Sequence, residues 1–192
     1  LFIYNKLYKI EKMSKALVII KSGGIGDLCV MISGIHEISQ SIGKPVAVLA
    51  QKNTHAVDLL KNDPYVSEVI ELDKKGYFNT VKKIKHKKFD QSYIFSDSIR
   101  LYLIVKLSNI KTNFHYKFFS KRGKNFFRTA KEFVEKIINK QINTQSKIYY
   151  NKSDAGEAKK KFGISNQSKN IVCGISASGP TKRWGIKNYI KL

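Results

Sequence analysis

One stretch constrains the fold more than any other: residues 16–28, Ala-Leu-Val-Ile-Ile-Lys-Ser-Gly-Gly-Ile-Gly-Asp-Leu. It reads as strand, glycine turn, helix. The apolar run 16–20 is a short buried strand. Ser22, Gly23, Gly24 and Gly26 make a tight loop, and Asp27 opens a helix. The helix carries Leu28, Met31, Ile32, Ile35, Ile38 and Ile42 at spacings of three and four, one face of an α-helix. Glycines there let a ligand approach the free N–H groups and the positive end of the helix dipole.

The rest of the chain repeats this unit. Gly43 and Pro45 end the first helix, and residues 46–50 form a second strand. Asn53 is placed to cap a helix to about Lys61. Residues 68–72 give a third strand. A lysine-rich helix over 77–87 follows, burying Phe78, Val81 and Ile84 and solvating its lysines. Residues 89–95 form a fourth strand. Asp97 or Ser98 caps a helix over 99–107 that is apolar nearly all round and expected to be well buried. Residues 110–116 are a fifth strand. Strands alternating with helices at this spacing predict an α/β fold: a Rossmann-like parallel sheet with helices on both faces.

Beyond 116 the pattern lapses. Residues 117–128 interleave Lys117, Lys121, Arg122, Lys124 and Arg128 with phenylalanines, a composition suited to an anionic surface or to solvated charges around core anchors. An amphipathic helix follows, on Ala130, Phe133, Val134, Ile137 and Ile138. Residues 141–152 read as a linker. A helix to Phe162 closes at Gly163, residues 170–175 form a further strand, and a last helix starts near Ile186. The expected organisation is an N-terminal extension 1–14, a Rossmann-like domain 15–140, the linker, and the start of a second, truncated α/β domain over 153–192.

Composition narrows the partners. Thirty-six Lys and Arg against 14 Asp and Glu leave a net charge of +22. That points to an anionic partner, or to surface drift, because the lysines accompany many Asn and Ile residues. Cys29 and Cys173, far apart and beside apolar elements, are expected as buried, reduced thiols in a cytoplasmic setting. No apolar run approaches the ~20 residues of a membrane helix. A dinucleotide fingerprint fails, because the third glycine position is Cys29 and no acid follows the second strand. P-loop, zinc and nucleophile-elbow patterns are absent. Two loops remain at carboxyl ends of predicted strands: the glycine loop with Asp27, and residues 176–184, whose hydroxyls, Gly179, Lys182 and Arg183 suit a diphosphate.

These residues carry a resemblance. Lys21-Ser-Gly-Gly-Ile-Gly-Asp27 resembles the opening motif of the glycosyltransferase family 9 heptosyltransferases, which add heptose to the lipopolysaccharide core. Asp63-Pro-Tyr-Val-Ser-Glu-Val-Ile70 resembles their segment before the third strand. Lys88-Phe-Asp-Gln-Ser-Tyr-Ile94, with Arg100 and Leu107-Ser108, resembles the stretch that follows. Residues 176–184 are similar to the start of their donor-binding domain, with Gly185 where the family usually has proline. The four motifs stand in the family's order.

The resemblance implies the N-terminal half of a GT-B fold, the acceptor side of an inverting transferase. Asp27 is implied as general base, with a helix N-cap as its structural alternative. Lys21, Ser22, Gly23, Gly24 and Gly26 are implied at the acceptor. Ser178, Gly179, Thr181 and Lys182 are implied at the donor diphosphate, with no metal and no other cofactor. The implied partners are an ADP-heptose-type nucleotide sugar and an anionic glycolipid, at the cytoplasmic face of the inner membrane, without specific nucleic-acid binding. Most of a donor-binding domain lies outside the sequence, implying a fragment with little or no activity alone. The rival from another class is a non-enzymatic basic α/β module that binds nucleic acid or an anionic surface, suggested by the charge.

Overall fold

The computed structural model describes residues 14–21, 23–72, 76–116, 125–165, 167, 169–174 and 183–191. It divides into two compact units, with the break between Tyr150 and Asn151. The first unit is built on five parallel strands: β1 (Ala16–Ile20), β2 (Val46–Ala50), β3 (Val66–Glu71), β4 (Gln91–Phe95) and β5 (Thr112–His115). Their order across the sheet is β3-β2-β1-β4-β5. β1 is therefore central. Leu17 pairs with Ala47 on one side and Ser92 on the other, and each following residue continues both ladders.

Every residue of β1, β2 and β4 is buried. This is the burial of a parallel sheet covered on both faces, as the continuous apolar runs of β1 and β2 predict. Alternate residues feed two cores. Val18, Ile20, Val48, Phe95 and Phe114 meet helix α1 (Ile25–Ile42) and helix α5 (Phe126–Ile138) on one face. Leu17, Ile19, Leu49 and Ile94 meet α3 (Tyr77–Lys87) and α4 (Ile99–Leu107) on the other.

α1 follows the expected pattern. Its six spaced apolar residues are each at most 1% exposed. Each such burial contributes about 1.5–3 kcal/mol before entropy is counted. Gly43, at φ 79°, stops the helix, and its N–H bonds the Ser39 carbonyl at 2.9 Å. Gly34 sets the distance to α5. A Cβ built there would lie 3.1 Å from Cγ2 of Val134 and 3.4 Å from Cζ of Phe95.

Several expectations are corrected. The helix from Asn53 to Lys61 is instead a 3₁₀ turn (Lys52–Thr54) and a short α2 (Ala56–Leu59). His55, at φ 53°, interrupts it, and Thr54 rather than Asn53 bonds the next turn, accepting from the Ala56 N–H at 3.3 Å. Phe78 is 81% exposed, because α3 turns Tyr77, Val81 and Ile84 toward the sheet. α4 is not buried all round: the sheet covers only Leu101, Ile104 and Val105. Cys29 is half-buried and Cys173 exposed, and both are free thiols.

Residues 141–150 have no regular secondary structure but are held along the first unit. The Ile142 N–H donates to Oε1 of Glu135 at 3.1 Å, and Ser146 Oγ donates to the Cys29 carbonyl at 2.5 Å. The Tyr149 ring sits edge-on to His36 at 5.8 Å and to Tyr65 at 6.2 Å. Beneath it, His36 Nε2 lies 2.7 Å from Oδ2 of Asp63, a carboxylate 1% exposed. Oδ1 of Asp63 accepts from the Tyr65 N–H at 3.0 Å.

In the second unit, α6 (Lys152–Phe162) ends at Gly163, φ 62°. The expected strand over 170–175 is absent among its described residues. Ile171 and Val172 are 79% and 91% exposed, and among the described residues no strand pairs with them. A short α7 (Ile186–Tyr189) follows. The expected features of residues 117–124 lie outside the described residues.

Gly34→Leu is expected to destabilise the first unit by about 1–3 kcal/mol, read as a lower urea midpoint, because α5 must move off α1. An unchanged midpoint would show that the close approach is not limiting. Asp63→Ala is expected to cost roughly 2–4 kcal/mol, since it removes a buried acceptor from both His36 and the Tyr65 backbone.

Candidate functional site

In an open parallel sheet, ligands collect beyond the carboxyl ends of the strands, where the chain reverses its order of strand addition. Here β2 and β3 add to one side of β1, and β4 and β5 to the other. The reversal falls between β1 and β4. An open cleft of about 400 Å³ lies at this end of the sheet, lined by Lys21, Gln51, Leu72, Tyr77, Ser98 and Arg100 together with Leu101.

Each wall comes from the end of an element. Lys21 directly follows β1, Gln51 follows β2, Leu72 follows β3, and Ser98 is the N-cap of α4. Gln51 ties two of them together: its Nε2 donates to the Lys21 carbonyl at 2.5 Å. Arg100 is held by Tyr77, through a 3.0 Å hydrogen bond from Nη1 to the phenol oxygen and a guanidinium 5.1 Å from the ring centroid. Lys21 and Arg100 give the cleft two cations. Among the described residues no carboxylate lines it.

The glycine loop runs from this cleft to the head of α1. Space at Gly23 is tight: a Cβ there would lie 3.1 Å from Nδ2 of Asn53 and 3.3 Å from Oε1 of Gln51, so those side-chain ends would have to give way. Gly24 is the N-cap of α1, in extended conformation, and its carbonyl accepts from the Leu28 N–H at 3.2 Å. Gly26 faces open space and lies inside the first turn. Asp27 is therefore the third residue of the helix, and the N-cap alternative for it does not hold.

Its carboxylate folds back toward the helix start, with Oδ2 3.7 Å from the place a Gly24 Cβ would occupy. Asp27 is half-buried and has no hydrogen-bond or ion-pair partner among the described residues. An acid in the first turn is favoured by the helix dipole. Chemically, this is a carboxylate left available at a glycine-lined helix start, a few residues from a cationic cleft.

At the ends of β4 and β5, burial holds the Tyr116 phenol well above the usual tyrosine range, with the Asp97 charge adding to it. Tyr116 is thus a neutral phenol at any ordinary pH. Ser22 lies outside the described residues, as do Ser178, Gly179, Thr181 and Lys182. Among the described residues, no group of three His, Cys, Asp or Glu could hold a metal ion.

Sequence reasoning missed Gln51 and gave no role to Arg100 or Tyr77. Gln51 directly follows the second strand, which itself places it at the carboxyl edge. The aromatic at the start of α3 and the arginine at the start of α4 likewise sit where helices begin at that edge.

No family model matches the chain, and no curated protein does. Solved structures do. The glycosyl transferase family 9 structure from Veillonella parvula DSM 2008 superposes with a TM-score of 0.77 at 13% identity, covering 96% of this chain and 60% of that one. Escherichia coli ADP-heptose lps heptosyltransferase II gives 0.66 at 18% identity, covering 92% and 59%. E. coli heptosyltransferase WaaC, solved with ADP-2-deoxy-2-fluoro heptose, gives 0.51 at 10%, covering 67% and 50%. This chain thus spans about 50–60% of the length of the structures it matches. Identities this low carry the fold, and the fold implied by the four motifs is the one observed: a Rossmann-like parallel sheet of the kind found in glycosyltransferase family 9 structures.

Proposed function

We propose that the chain is the acceptor-side part of an inverting glycosyltransferase of the ADP-heptose type, acting on an anionic glycolipid of the lipopolysaccharide inner core. The observation that carries this reading is Asp27: a half-buried carboxylate at the glycine start of α1, without a hydrogen-bond or ion-pair partner among the described residues, a few residues along the chain from a cleft with two cations. The fold likeness and the four ordered motifs support it.

In the proposed step the acceptor hydroxyl rests against Asp27. The carboxylate takes the hydroxyl proton as the oxygen attacks the anomeric carbon. The new carbon–oxygen bond forms on the face opposite the leaving group, so the configuration inverts. The bond to the diphosphate breaks, and its electron pair leaves with ADP. Lys21 and Arg100 would hold an anionic group of the acceptor, and Gln51 would fix the loop through the Lys21 carbonyl. Ser178, Gly179, Thr181 and Lys182 are assigned to the donor diphosphate, whose growing charge lysine and hydroxyl groups can neutralise without a metal. Domains at 15–140 and 153–192, joined by 141–152, and a place at the cytoplasmic face of the inner membrane belong to the same reading.

The test is transfer of heptose from ADP-heptose to heptose-deficient lipopolysaccharide by the protein of the full reading frame. Asp27→Asn is expected to lower kcat by about 10²–10⁴-fold with an unchanged circular dichroism spectrum. Retained transfer would remove Asp27 from the role of base. Arg100→Ala is expected to raise the acceptor KM about tenfold and leave kcat nearly unchanged, as loss of a ground-state contact does. An equal fall in kcat would place Arg100 at the transition state instead.

A further inference from the structure

The head of α1 carries Asp27, yet its own sequence builds it weakly. Its N-cap, Gly24, has no side chain to bond the free N–H groups of the first turn. Ile25 is 48% exposed, Gly26 is exposed, and the first buried residue of the helix is Leu28. A helix start with so little burial and no cap frays unless something outside the helix holds it.

Residues 142–149 supply that hold. Ile142 and Thr144 line a narrow groove with Ser33 and Gly34 of α1 and Ala130 of α5. Ser146 Oγ donates to the Cys29 carbonyl at 2.5 Å. Tyr149 then lies edge-on to His36, with centroids 5.8 Å apart. Cys29, Ser33 and His36 are spaced by four and three, so the segment follows one stripe of α1. Ser33 is 5% and His36 8% exposed, deep burial for polar residues on a helix that covers a sheet. The seat beneath Tyr149 is itself fixed, because Asp63 Oδ2 holds His36 Nε2 at 2.7 Å and the Tyr65 ring lies 4.6 Å from the imidazole. Ser146 is thus placed between two anchored ends, Ile142 and Tyr149. Cys29, whose carbonyl it bonds, is in the same helical turn as Asp27.

We infer that residues 142–149 are a strap that secures the head of α1, and that Ser146, seated by Tyr149, is a positioning residue for the Asp27 carboxylate. With the strap seated, the first turn is closed and the carboxylate stands at one place. With the Ser146 bond lost, part of the population has a frayed first turn, and kcat falls by the fraction of molecules in which Asp27 is out of place. The role given to Asp27 rests on the transfer reading. The hold on the helix does not.

The experiment has two arms. The first is amide hydrogen exchange of the 192-residue chain, read over residues 25–31 with β2 as internal control. Ser146→Ala is expected to speed exchange at the head of α1 about two- to tenfold, and Ser146→Ala with Tyr149→Ala to speed it further, with β2 unchanged. Ser146→Thr keeps the hydroxyl and Gln145→Ala alters an exposed neighbour, and both are expected to match the parent. Unchanged exchange over 25–31 in the single and the double variant, or an equal rise in β2, would overturn the strap. The second arm is sugar transfer by the protein of the full reading frame. Ser146→Ala is expected to lower kcat about two- to tenfold, Ser146→Thr to restore it, and Ser146→Ala to cost nothing further in an Asp27→Asn background. An equal loss in both backgrounds would show that Ser146 does not act through Asp27 and would overturn its positioning role. Failure of the transfer reading has a different signature, transfer retained by Asp27→Asn, and leaves the exchange arm to decide the strap.

Discussion

The structure depends on β1 having hydrogen-bonded neighbours on both edges and helices on both faces. A strand so placed has no exposed backbone and no exposed side chain, and all five of its residues are buried. Because β2 and β3 build outward on one side and β4 and β5 on the other, the loops after β1 and β4 diverge. The space they leave is the cleft between Lys21 and Arg100. The site is thus a consequence of strand order before it is a consequence of any side chain. The glycine loop then starts α1 at that opening.

Helix α1 was legible because its signals agree at every level: six apolar residues at helical spacing, glycines before it and a glycine after it. β1 and β2 were legible because a short run of aliphatic residues has few places to go except the middle of a sheet. Less could be read where tertiary context chooses among local options. His55 in a left-handed conformation divides a segment whose composition favours a helix. Phe78 and Leu103 are apolar, but an amphipathic count does not say which sector the sheet will cover. Residues 170–174 have strand composition and, among the described residues, no strand to pair with.

The candidate site divides in the same way. Asp27 and the glycines stood out from the sequence because their spacing is unusual. Gln51, Tyr77 and Arg100 did not, since each works through a partner distant in the chain. Gln51 reaches the Lys21 carbonyl across two strands, and Tyr77 holds Arg100 from the neighbouring helix. Such pairs become visible only when strand order is known.

The polar residues at the amino end of β4 have an effect at the far end of the sheet. Ser92 donates to Asn113 at 2.8 Å, Tyr93 donates to Gln91 at 3.1 Å, and Tyr93 stacks on Phe114 with centroids 4.9 Å apart. A slip of one residue between β4 and β5 would orphan the buried Ser92 hydroxyl and turn every side chain to the opposite face. This layer therefore acts as a level. It fixes β4 against β5, and the bond from the Asp90 N–H to the Lys15 carbonyl at 2.8 Å fixes it beside β1, and with it the height of Ser98 and Arg100 opposite Lys21. The level of the cleft's walls is set by hydrogen bonds at the other end of the strands.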